Sequence, residues 1–498
     1  MNLNVDDKPV DLVIPDVQEI LHALRAVVPE HCILSRLEQK KPYECDGLSL
    51  YRQTPLVVVL PETEAQVQGV VRACRRLNVP VVTRGAGTGL SGGAMPHAQG
   101  VLLGMAKFNR IKHIDPQSAT AVVEPGVRNL SVSQAAQKHG LYYAPDPSSQ
   151  IACTIGGNVA ENSGGVHCLK YGLTLHNVLQ VRLVTLDGDI LLLGSEAPDA
   201  AGPDLLSVVV GSEGMLGVVT AVTLRLLPIA EQARVIMASF EDVETAGDAV
   251  AAVIGAGIIP AGLEMMDQRA TQMVEPFVNA GYDLQAKAIL LCESDGTQLE
   301  VQEEIERMMQ VLRDAGATRL QISENEGERA RFWAGRKNAF PAAGRVSPDY
   351  YCMDGTIPRR QLARVLRAIE TMEKSFGLRC ANVFHAGDGN LHPLILFDSN
   401  HPDEVHRADL FGAAILELCV EVGGTITGEH GVGIEKINQM CVQFNRDELD
   451  AFLSVKRAFD PDGLLNPEKV IPTLARCAEY GKMHVHGGKL PFAEIPRF

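Results

Sequence analysis

The sequence predicts an α+β protein with two lobes, and three observations lead to this prediction. Residues 55–228 alternate short apolar strands with long glycine-rich loops. From residue 229 the pattern changes to repeats of strand, helix and strand. The chain has 498 residues, of which 46% are hydrophobic, so it is long enough to form more than one hydrophobic core.

Composition excludes several classes of partner. The net charge is −16 and there is no long basic run, so neither nucleic acid nor an anionic membrane surface is expected as the main partner. The acidic N-terminus does not have the pattern of a secretory signal. The longest apolar window, 249–263, contains glycines and a proline and is too short to span a bilayer.

Cysteine usage points to a reducing compartment. The 11 cysteines are odd in number and scattered, and no Cys-x-x-Cys occurs, so a disulfide framework is not expected. The same scatter gives no sign of an iron–sulfur cluster. If the protein passes on single electrons, another chain must carry them.

The first lobe begins with one β-α-β unit. Residues 56–60 form a buried strand, and Thr63 followed by Gln66 starts a helix in the manner of a capping box. A helical stripe of apolar residues then ends at Asn78, and a second strand at 79–82 follows.

This strand leads into a glycine-rich loop at 84–93. Successive backbone N–H groups in such a loop form a nest that suits a diphosphate. A Rossmann site is not expected, because the loop is followed by a strand at 101–103 and not by a helix. An ordinary surface loop is the alternative.

Two further stretches of the first lobe suit a polar, planar ligand. After a strand at 119–124 and a helix at 129–139, residues 145–165 supply hydroxyls, an amide and two Gly-Gly pairs. A hairpin at 178–193 with an Asp-Gly turn follows. Another glycine-rich stretch, 211–217, precedes a strand at 218–227, and Pro228 ends the lobe.

The second lobe is predicted from three repeats of strand, helix and strand. Their ranges are 235–240, 242–255 and 258–266; 288–293, 297–315 and 319–323; and 350–357, 359–376 and 379–385. Two more helices are expected at 404–421 and 446–459.

A candidate metal site follows the third repeat. His385 and His392 flank a Gly-Asp-Gly turn between two apolar strands, so a hairpin would bring them close together. Two imidazoles and one carboxylate can hold a divalent cation with an open position, and Glu429 in the run Gly-Glu-His-Gly is the candidate acid. The alternative is a pair of turn histidines that bond only to backbone.

The loops at 84–93, 145–165 and 211–219 resemble those of FAD-linked oxidases of the vanillyl-alcohol-oxidase type. The resemblance implies a two-lobed FAD-binding domain and a ferredoxin-like cap domain of split β-α-β type. Some members attach the flavin through a histidine in the glycine-rich loop; Thr88 and Gly89 stand there in this chain, which implies non-covalent FAD. The cofactor residues implied are Arg84, Gly85, Gly87, Thr88, Gly89, Ser91, Gly92, Pro147, Ser148, Ser149, Gly156, Gly157, Asn158, Ser163, Gly164, Gly217, Val219 and Asn466.

The resemblance also implies the division of the chain. We expect an N-terminal cap segment at 1–54, an FAD-binding domain at 55–228 and a substrate or cap domain with the metal hairpin at 229–420. A C-terminal segment at 421–498 returns to the FAD domain, because residues 459–467 resemble the stretch with which the family's chain does so.

Further motifs resemble the flavin-subunit family of bacterial glycolate oxidases over nearly the whole chain. They include TRGAGTGLSGGA (83–94), RFWAGRKNAFP (331–341), NVFHAGDGN (382–390), GEHG (428–431) and the tail HVHGGKLPF (484–492). This resemblance implies a complex with a second flavin-type subunit and an iron–sulfur subunit. A cytoplasmic location follows, with membrane contact only through partners, on the inner face of the cytoplasmic membrane.

The family match assigns roles to the site. His385, His392 and Glu429 would bind zinc or manganese, His430 would be the general base, and Arg336 would bind the substrate carboxylate. Asp388 and Asn390 would orient the metal-binding residues without binding the metal themselves.

The expected reaction is oxidation of a small 2-hydroxy acid with hydride transfer to FAD. Cys352 and Phe340 stand where relatives acting on diacids have lysine and threonine, which favours a monocarboxylate. Glycolate to glyoxylate comes first and D-lactate to pyruvate second. The alternatives are a stand-alone D-lactate dehydrogenase and a non-catalytic flavin-binding subunit.

Overall fold

A computed structural model describes residues 16–197 and 202–472 of the chain. The first residues of the predicted N-terminal segment and the tail motif at 484–492 lie outside these ranges. Within the described ranges, no helix combines the length and the apolar character needed to cross a membrane.

The first part of the chain forms a small, mostly parallel sheet. Within residues 16–104, its four strands are ordered β1-β2-β4-β3, and only β1 runs antiparallel. The Thr63 hydroxyl accepts from the backbone N–H of Gln66 at 3.3 Å and so starts α3 as predicted. The elements are α1 (Val17–Arg25), β1 (Ile33–Leu34), α2 (Leu37–Lys40), β2 (Val57–Val59), α3 (Glu64–Arg76), β3 (Val81–Arg84) and β4 (Val101–Gly104).

A second, antiparallel sheet completes the first lobe. Within residues 105–197 and 202–228, its five strands are ordered β5-β6-β10-β8-β9, and β7 pairs separately with β11. The predicted hairpin is present as β8 and β9. The elements are β5 (Ile111–Asp115), β6 (Thr120–Val123), α4 (Asn129–Ala136), β7 (Leu141–Tyr142), α5 (Ile155–Glu161), α6 (Cys168–Tyr171), α7 (Thr174–Asn177), β8 (Val178–Val184), β9 (Ile190–Gly194), α8 (Leu205–Val209), β10 (Val218–Arg225) and β11 (Leu227–Pro228).

The structure differs from the predicted loop at 145–165, because this stretch contains the helix α5. Thr154 starts the helix by accepting from the backbone N–H of Gly157. Its glycines allow close packing and do not mark a turn: a Cβ atom on Gly156 would lie 2.5 Å from Cβ of Pro125. The Gly-Gly pair therefore reflects close backbone packing and hides the helix from a composition-based prediction.

The second lobe is built on a large antiparallel sheet. Within residues 229–436, its seven strands are ordered β15-β12-β14-β13-β17-β18-β16. The elements are β12 (Gln232–Phe240), α9 (Val243–Gly255), β13 (Gly262–Asp267), α10 (Gln268–Val278), β14 (Ala288–Gly296), α11 (Gln298–Asp314), β15 (Arg319–Ile322), α12 (Glu326–Lys337), α13 (Ala339–Val346), β16 (Asp349–Cys352), α14 (Leu362–Phe376), β17 (Arg379–His385), β18 (Asn390–Phe397) and α15 (Pro402–Glu421).

Both faces of this sheet are buried, which explains its near-continuous apolar strands. In β14, Leu290 and Cys292 face the core that contains α9, α11, α14 and α15. Ile289 and Leu291 alternate to the opposite face, where α10, α12 and α13 pack. These last three helices were not predicted; α12, for example, is rich in charged residues and has little apolar periodicity.

The chain then returns to the first lobe. Helices α16 (Ile437–Gln443) and α17 (Arg446–Phe459) follow the cap sheet. Beyond them, Leu465 forms a parallel bridge with Val81, and the backbone N–H of Val470 donates to the carbonyl of Gly433 at 2.9 Å. The C-terminal part therefore joins the first sheet to the stretch that contains the Gly-Glu-His-Gly turn.

Candidate active site

A cavity of about 500 Å³ lies between the two lobes and brings together the three predicted loops. A volume of this size is typical of a ligand site. The cap contributes Lys337, Asn338, Phe340, Pro341 and Tyr350 to its lining, and His392, Glu429 and His430 line it as well.

Most of the predicted cofactor residues line this cavity. They are Gly85, Gly87, Thr88, Gly89, Pro147, Ser148, Ser149, Gly156, Gly157, Asn158, Ser163, Gly217 and Val219. Five of the predicted residues do not line it, namely Arg84, Ser91, Gly92, Gly164 and Asn466.

Several of these five brace the loops. Arg84 donates to the carbonyl of Cys45 at 2.6 Å. The Asn466 amide donates to the carbonyls of Gly93, at 3.0 Å, and Glu213, at 2.6 Å. Ser91 accepts at its carbonyl from the backbone N–H of Ile434 at 3.0 Å. These residues hold the cavity wall in place from outside it.

The predicted histidine hairpin is present, formed by β17 and β18. His392 pairs with Val383 and Asn390 pairs with His385, so both imidazoles project from the same face of the sheet. Their ring centroids are 5.0 Å apart. The Asp388 carboxylate accepts from the backbone N–H of Asn390 at 3.0 Å and closes the turn.

Glu429 reaches both histidines. Its Oε1 lies 3.3 Å from Nε2 of His385 and 3.2 Å from Nε2 of His392. Burial alone would raise the pKa of this carboxyl, but His385 and His392 lower it well below its usual value. One ligand atom from each of the three residues lies within 4.8 Å of the other two.

His392 has a buried imidazole without hydrogen-bond partners among the described residues. Neither ring nitrogen makes a hydrogen bond to any described residue, although the ring is buried. Its Nε2 is near Glu429 but not in hydrogen-bonding geometry. A buried polar atom without a partner is costly, so this imidazole fits a ligand to a cation.

A second, overlapping group is a poorer candidate. Asp354, His392 and His430 also cluster. The Asp354 carboxylate, however, already accepts from Thr427, from three backbone N–H groups and from Lys436. The less occupied carboxylate of Glu429 is therefore the better match for a cation.

His430 lines the cavity and its ring stacks on the ring of His392. The ring centroids are 4.9 Å apart and the planes differ by 8°. Burial is the main cause that lowers the pKa of His430 to about 4, and His392 and Lys436 add to it against the opposing effect of Asp354 and Glu429. The imidazole is therefore neutral near pH 7 and able to accept a proton.

Arg336 lies beside the histidines but does not line the cavity. Its side chain is 1% exposed, and Nε donates to Oε2 of Glu264 at 2.6 Å. Its Nη2 lies 3.4 Å from Nε2 of His385. The structure therefore brings the predicted carboxylate-binding residue to the cluster, but in an ion pair with Glu264.

Sequence reasoning missed Glu264, Asp354 and Lys436. Glu264 lies within the apolar strand β13 and is 1% exposed. A carboxylate in such a strand is a signal in itself, because glutamate is almost never fully buried unless it is paired. Asp354 and Lys436 are 0% exposed, and no spacing in the sequence connects them to the site.

The fold and this site define a class of protein: a two-lobed oxidoreductase whose glycine-lined cofactor cavity faces a cluster of histidines and carboxylates. Family profiles agree. Residues 55–194 match an FAD-binding domain, and residues 229–470 match the C-terminal domain of FAD-linked oxidases. The chain belongs to the FAD-linked oxidase family, within the group of flavin subunits that includes glycolate oxidase subunit GlcD.

Comparison with individual proteins supports this placement. The chain is 62% identical over 494 residues to glycolate oxidase subunit GlcD of Escherichia coli, covering 99% of each chain. It is 38% identical to glycolate oxidase subunit GlcD of Bacillus subtilis, covering 87% of this chain and 93% of that one. It is 30% identical to a mitochondrial D-lactate dehydrogenase (cytochrome) of Arabidopsis thaliana, covering 84% of this chain and 74% of that one.

Solved structures confirm the predicted fold. The structure of p-cresol methylhydroxylase matches with a TM-score of 0.77 at 19% identity, over 90% of this chain and 96% of that one. An alkyldihydroxyacetonephosphate synthase matches with a TM-score of 0.74 at 18% identity, over 94% of this chain and 88% of that one. The predicted fold class, α+β of the vanillyl-alcohol-oxidase type, is therefore confirmed.

Proposed function

We propose that this chain oxidises a small 2-hydroxy acid with FAD, converting glycolate to glyoxylate and also D-lactate to pyruvate. The observation that carries the proposal is that His392, Glu429 and His430 line the same cavity as the glycine-rich loops. Names of relatives support the substrate class: glycolate oxidase subunit at 62% identity and D-lactate dehydrogenase at 30%.

The cavity suits non-covalent FAD. The 84–93 loop and the start of α5 offer backbone N–H groups where glycine allows close approach, as at Gly87 with its φ of +70°. FAD bound there supplies a hydride acceptor. The cofactor residues named above would form or support its site. They include Arg84, Ser91 and Asn466, which brace the loops, and Gly92 and Gly164, which lie outside the cavity lining.

His385, His392 and Glu429 would hold a divalent cation. The unpartnered ring of His392 supports this assignment, and two imidazoles with one carboxylate leave a position open for substrate. The cation would lower the pKa of the substrate hydroxyl. Zinc and manganese both suit the set, since N and O ligands do not choose between them.

The chain's own residues then complete the reaction. The neutral His430 would take the proton of the substrate hydroxyl at its imidazole, and FAD held by the cofactor residues would supply the acceptor for the hydride from the carbon that carries this hydroxyl. Glu264 holds both His385 and Arg336. Arg336 would bind the substrate carboxylate only after leaving this ion pair, because its buried side chain does not line the cavity. The products are the 2-oxo acid, the reduced cofactor and a proton on His430.

The cap wall favours a small acid. Phe340 and Tyr350 line the cavity with their ring centroids 5.7 Å apart in an edge-to-face arrangement. Cys352 carries no positive charge at the position where relatives that act on diacids are expected to have a lysine. Glycolate is therefore the first candidate and D-lactate the second.

The remaining assignments complete the proposal. We propose domains at 1–54, 55–228, 229–420 and 421–498. The two profile matches begin at 55 and 229 and so support the starts of the second and third regions, whereas the second match continues through 420 to residue 470. A second flavin-type subunit and an iron–sulfur subunit would receive the electrons. The chain would be cytoplasmic and reach the inner face of the membrane only through them.

An anaerobic half-reaction tests this function. The isolated chain is loaded with FAD, its visible spectrum is recorded, and glycolate or D-lactate is added. We expect glycolate to bleach the flavin band, and a His430→Gln variant that keeps FAD to bleach far more slowly. Bleaching by D-lactate alone would favour the stand-alone D-lactate dehydrogenase, and bleaching by neither acid would favour a non-catalytic subunit.

The metal assignment has its own test. Exhaustive chelation should abolish flavin reduction, and zinc or manganese should restore it. A direct titration of the apo-chain with either ion should show one site that is lost in a His392→Ala variant. Full activity in metal-free enzyme would remove the cation from the proposal.

A further inference from the structure

A buried ion pair lies behind the turn that carries Glu429 and His430. Nζ of Lys436 and Oδ2 of Asp354 are 3.1 Å apart, and both side chains are 0% exposed. Neither residue lines the cavity. We call residues 427–431 the catalytic turn, because Glu429 and His430 lie within it.

Asp354 binds the backbone of this turn directly. Its Oδ2 accepts from the backbone N–H groups of Gly428 at 3.1 Å, Glu429 at 3.2 Å and His430 at 2.8 Å. Three successive N–H groups around one carboxylate oxygen form a nest for an anion. The geometry fixes the backbone from which the side chains of Glu429 and His430 start.

Lys436 fastens the two ends of the same turn. Its ammonium donates to the carbonyl of Gly431 at 2.8 Å and to the hydroxyl of Thr427 at 3.2 Å. The Thr427 hydroxyl in turn lies 2.6 Å from Oδ2 of Asp354. The turn is thus closed around the ion pair by side-chain contacts on both ends.

The pair also connects the turn to the histidine hairpin. Asp354 directly follows Met353, whose backbone N–H donates to the carbonyl of Pro393 in β18. Oδ1 of Asp354 lies 3.6 Å from Nε2 of His392. One side chain therefore sets the distance between the strand that carries His392 and the turn that carries Glu429.

We propose that Asp354 and Lys436 are positioning residues that fix the catalytic turn against the histidine hairpin. Burying two charges costs desolvation energy that their attraction barely offsets, so net stability does not explain the pair. Asp354 instead binds the backbone N–H groups of Gly428, Glu429 and His430, which carry or adjoin the side chains proposed to act on the substrate. The predicted effect on rate rests on the proposed function, whereas the effect on the turn does not.

Hydrogen–deuterium exchange of the FAD-loaded chain tests the effect on the turn. We expect the amides of Gly428, Glu429 and His430 to exchange at least tenfold faster in Asp354→Asn and in Lys436→Met than in the wild type. The matched control is Lys456→Met, which removes another buried lysine, paired with Asp460 at 2.5 Å. Exchange within residues 427–431 should not change in the control.

A further variant keeps the test decisive if one of the single variants fails to fold. The triple variant Asp354→Asn/Glu435→Gln/Lys436→Met removes the pair together with the buried carboxylate of Glu435, which lies 3.6 Å from Nζ of Lys436, so it should fold even if one single variant does not. It should show the same fast exchange. Wild-type exchange rates at these amides in a folded, FAD-loaded variant would overturn the proposal.

The rate per bound flavin separates positioning from a merely structural role. Misplacement of a reacting group by about 1 Å costs about 100-fold in rate. We therefore expect the flavin-reduction rate constant to fall about that much in Lys436→Met, with the half-saturating glycolate concentration changed far less. Fast exchange with an unchanged rate constant would overturn the proposal. A wild type that glycolate never reduces would refute the proposed function, while the exchange result would still decide whether the pair fixes the turn.

Discussion

The carboxylate of Glu264 and the guanidinium of Arg336 form an ion pair at 2.6 Å in which both side chains are only 1% exposed. The other oxygen of Glu264 lies 2.7 Å from Nδ1 of His385. One carboxylate in β13 therefore fixes both the arginine of α12 and the first histidine of the hairpin. With Nδ1 occupied, Nε2 of His385 is the nitrogen left to face Glu429.

The first prediction concerns Glu264. A Glu264→Gln variant keeps the shape of the side chain but loses the charge that orients His385 and pairs with Arg336. Loss of such a supporting partner costs about 10- to 100-fold in metal affinity or activity. We expect both the affinity for added zinc or manganese and the rate of flavin reduction by glycolate to fall in this range.

The control for this prediction is Glu124→Gln. Glu124 is a buried carboxylate of the first lobe that pairs with Arg110 at 2.9 Å and is not among the candidate metal ligands. Its loss should leave metal affinity and flavin reduction unchanged. Wild-type metal affinity in Glu264→Gln would show that this carboxylate does not orient His385.

The second prediction concerns the cap wall. Phe340→Ala removes one of the two rings that narrow the cavity, while Tyr350 stays. In a hydrophobic pocket, one extra or missing methylene group in the substrate changes the ratio of kcat/KM values about 10- to 200-fold. We expect the ratio of kcat/KM for 2-hydroxybutyrate to that for glycolate to rise at least tenfold.

Phe376→Ala is the matched control for the wall. Phe376 stacks on Phe411 with centroids 5.2 Å apart, in the core on the opposite face of the cap sheet. This variant should lose stability without changing the ratio. An unchanged ratio in Phe340→Ala would place the specificity elsewhere.

Local sequence signals predicted the parts of the site that lie close together in the chain. His385 and His392 are joined by a short Gly-Asp-Gly turn, and the alternation of the flanking strands fixes their common face. The glycine-rich loop was likewise predicted because its composition directly reflects close backbone packing. Most helices and strands with clear apolar periodicity were also predicted.

Contacts between distant segments could not be predicted in this way. Lys436 reaches Asp354 across 82 positions, and Glu264 reaches His385 across 121. Such pairs depend on which strands become neighbours in the cap sheet, and no local periodicity encodes that order. The helix α5 was missed for a different reason, since its Gly-Gly pair has a turn-like composition.

The third prediction concerns the dependence of stability on pH. His167 links the lobes: Nδ1 lies 2.8 Å from Asp146 in the first lobe, and Nε2 lies 3.1 Å from Glu293 in the cap strand β14. Burial alone would lower the pKa of His167, but the two carboxylates raise it to about 10.

The sign of the effect follows from linkage. The folded state binds the His167 proton more tightly than the unfolded state, whose pKa is about 6.5. The stabilisation is fully present below about pH 6.5 and is lost as the pH rises toward about 10. We therefore expect the Tm difference between wild type and His167→Gln to be largest near pH 6 and to shrink steadily up to pH 10.

The control variant is His139→Gln, because His139 is exposed on the first lobe. Its Tm should follow the wild type at every pH. A Tm difference for His167→Gln that grows with pH would contradict the proposed charge state of this histidine. The FAD-loaded chain is used throughout, so that flavin loss is not mistaken for a change in the link between the lobes.

The last prediction concerns Gly156 at the start of α5. A Cβ atom here would lie 2.5 Å from Cβ and 3.0 Å from the carbonyl oxygen of Pro125, so any larger residue must push α5 away from its neighbour. The same helix start carries Gly157 and Asn158 into the cavity wall. Gly156→Val should therefore lower the affinity for FAD at least tenfold, measured by titration of the apo-chain. Gly255→Ala is the control, because nothing lies within 4 Å of a Cβ at that helical position. Full flavin content in Gly156→Val would mean that this wall does not contact the cofactor. Loss of flavin with retained binding of zinc or manganese at the cap would show that the substitution disturbs only the first lobe.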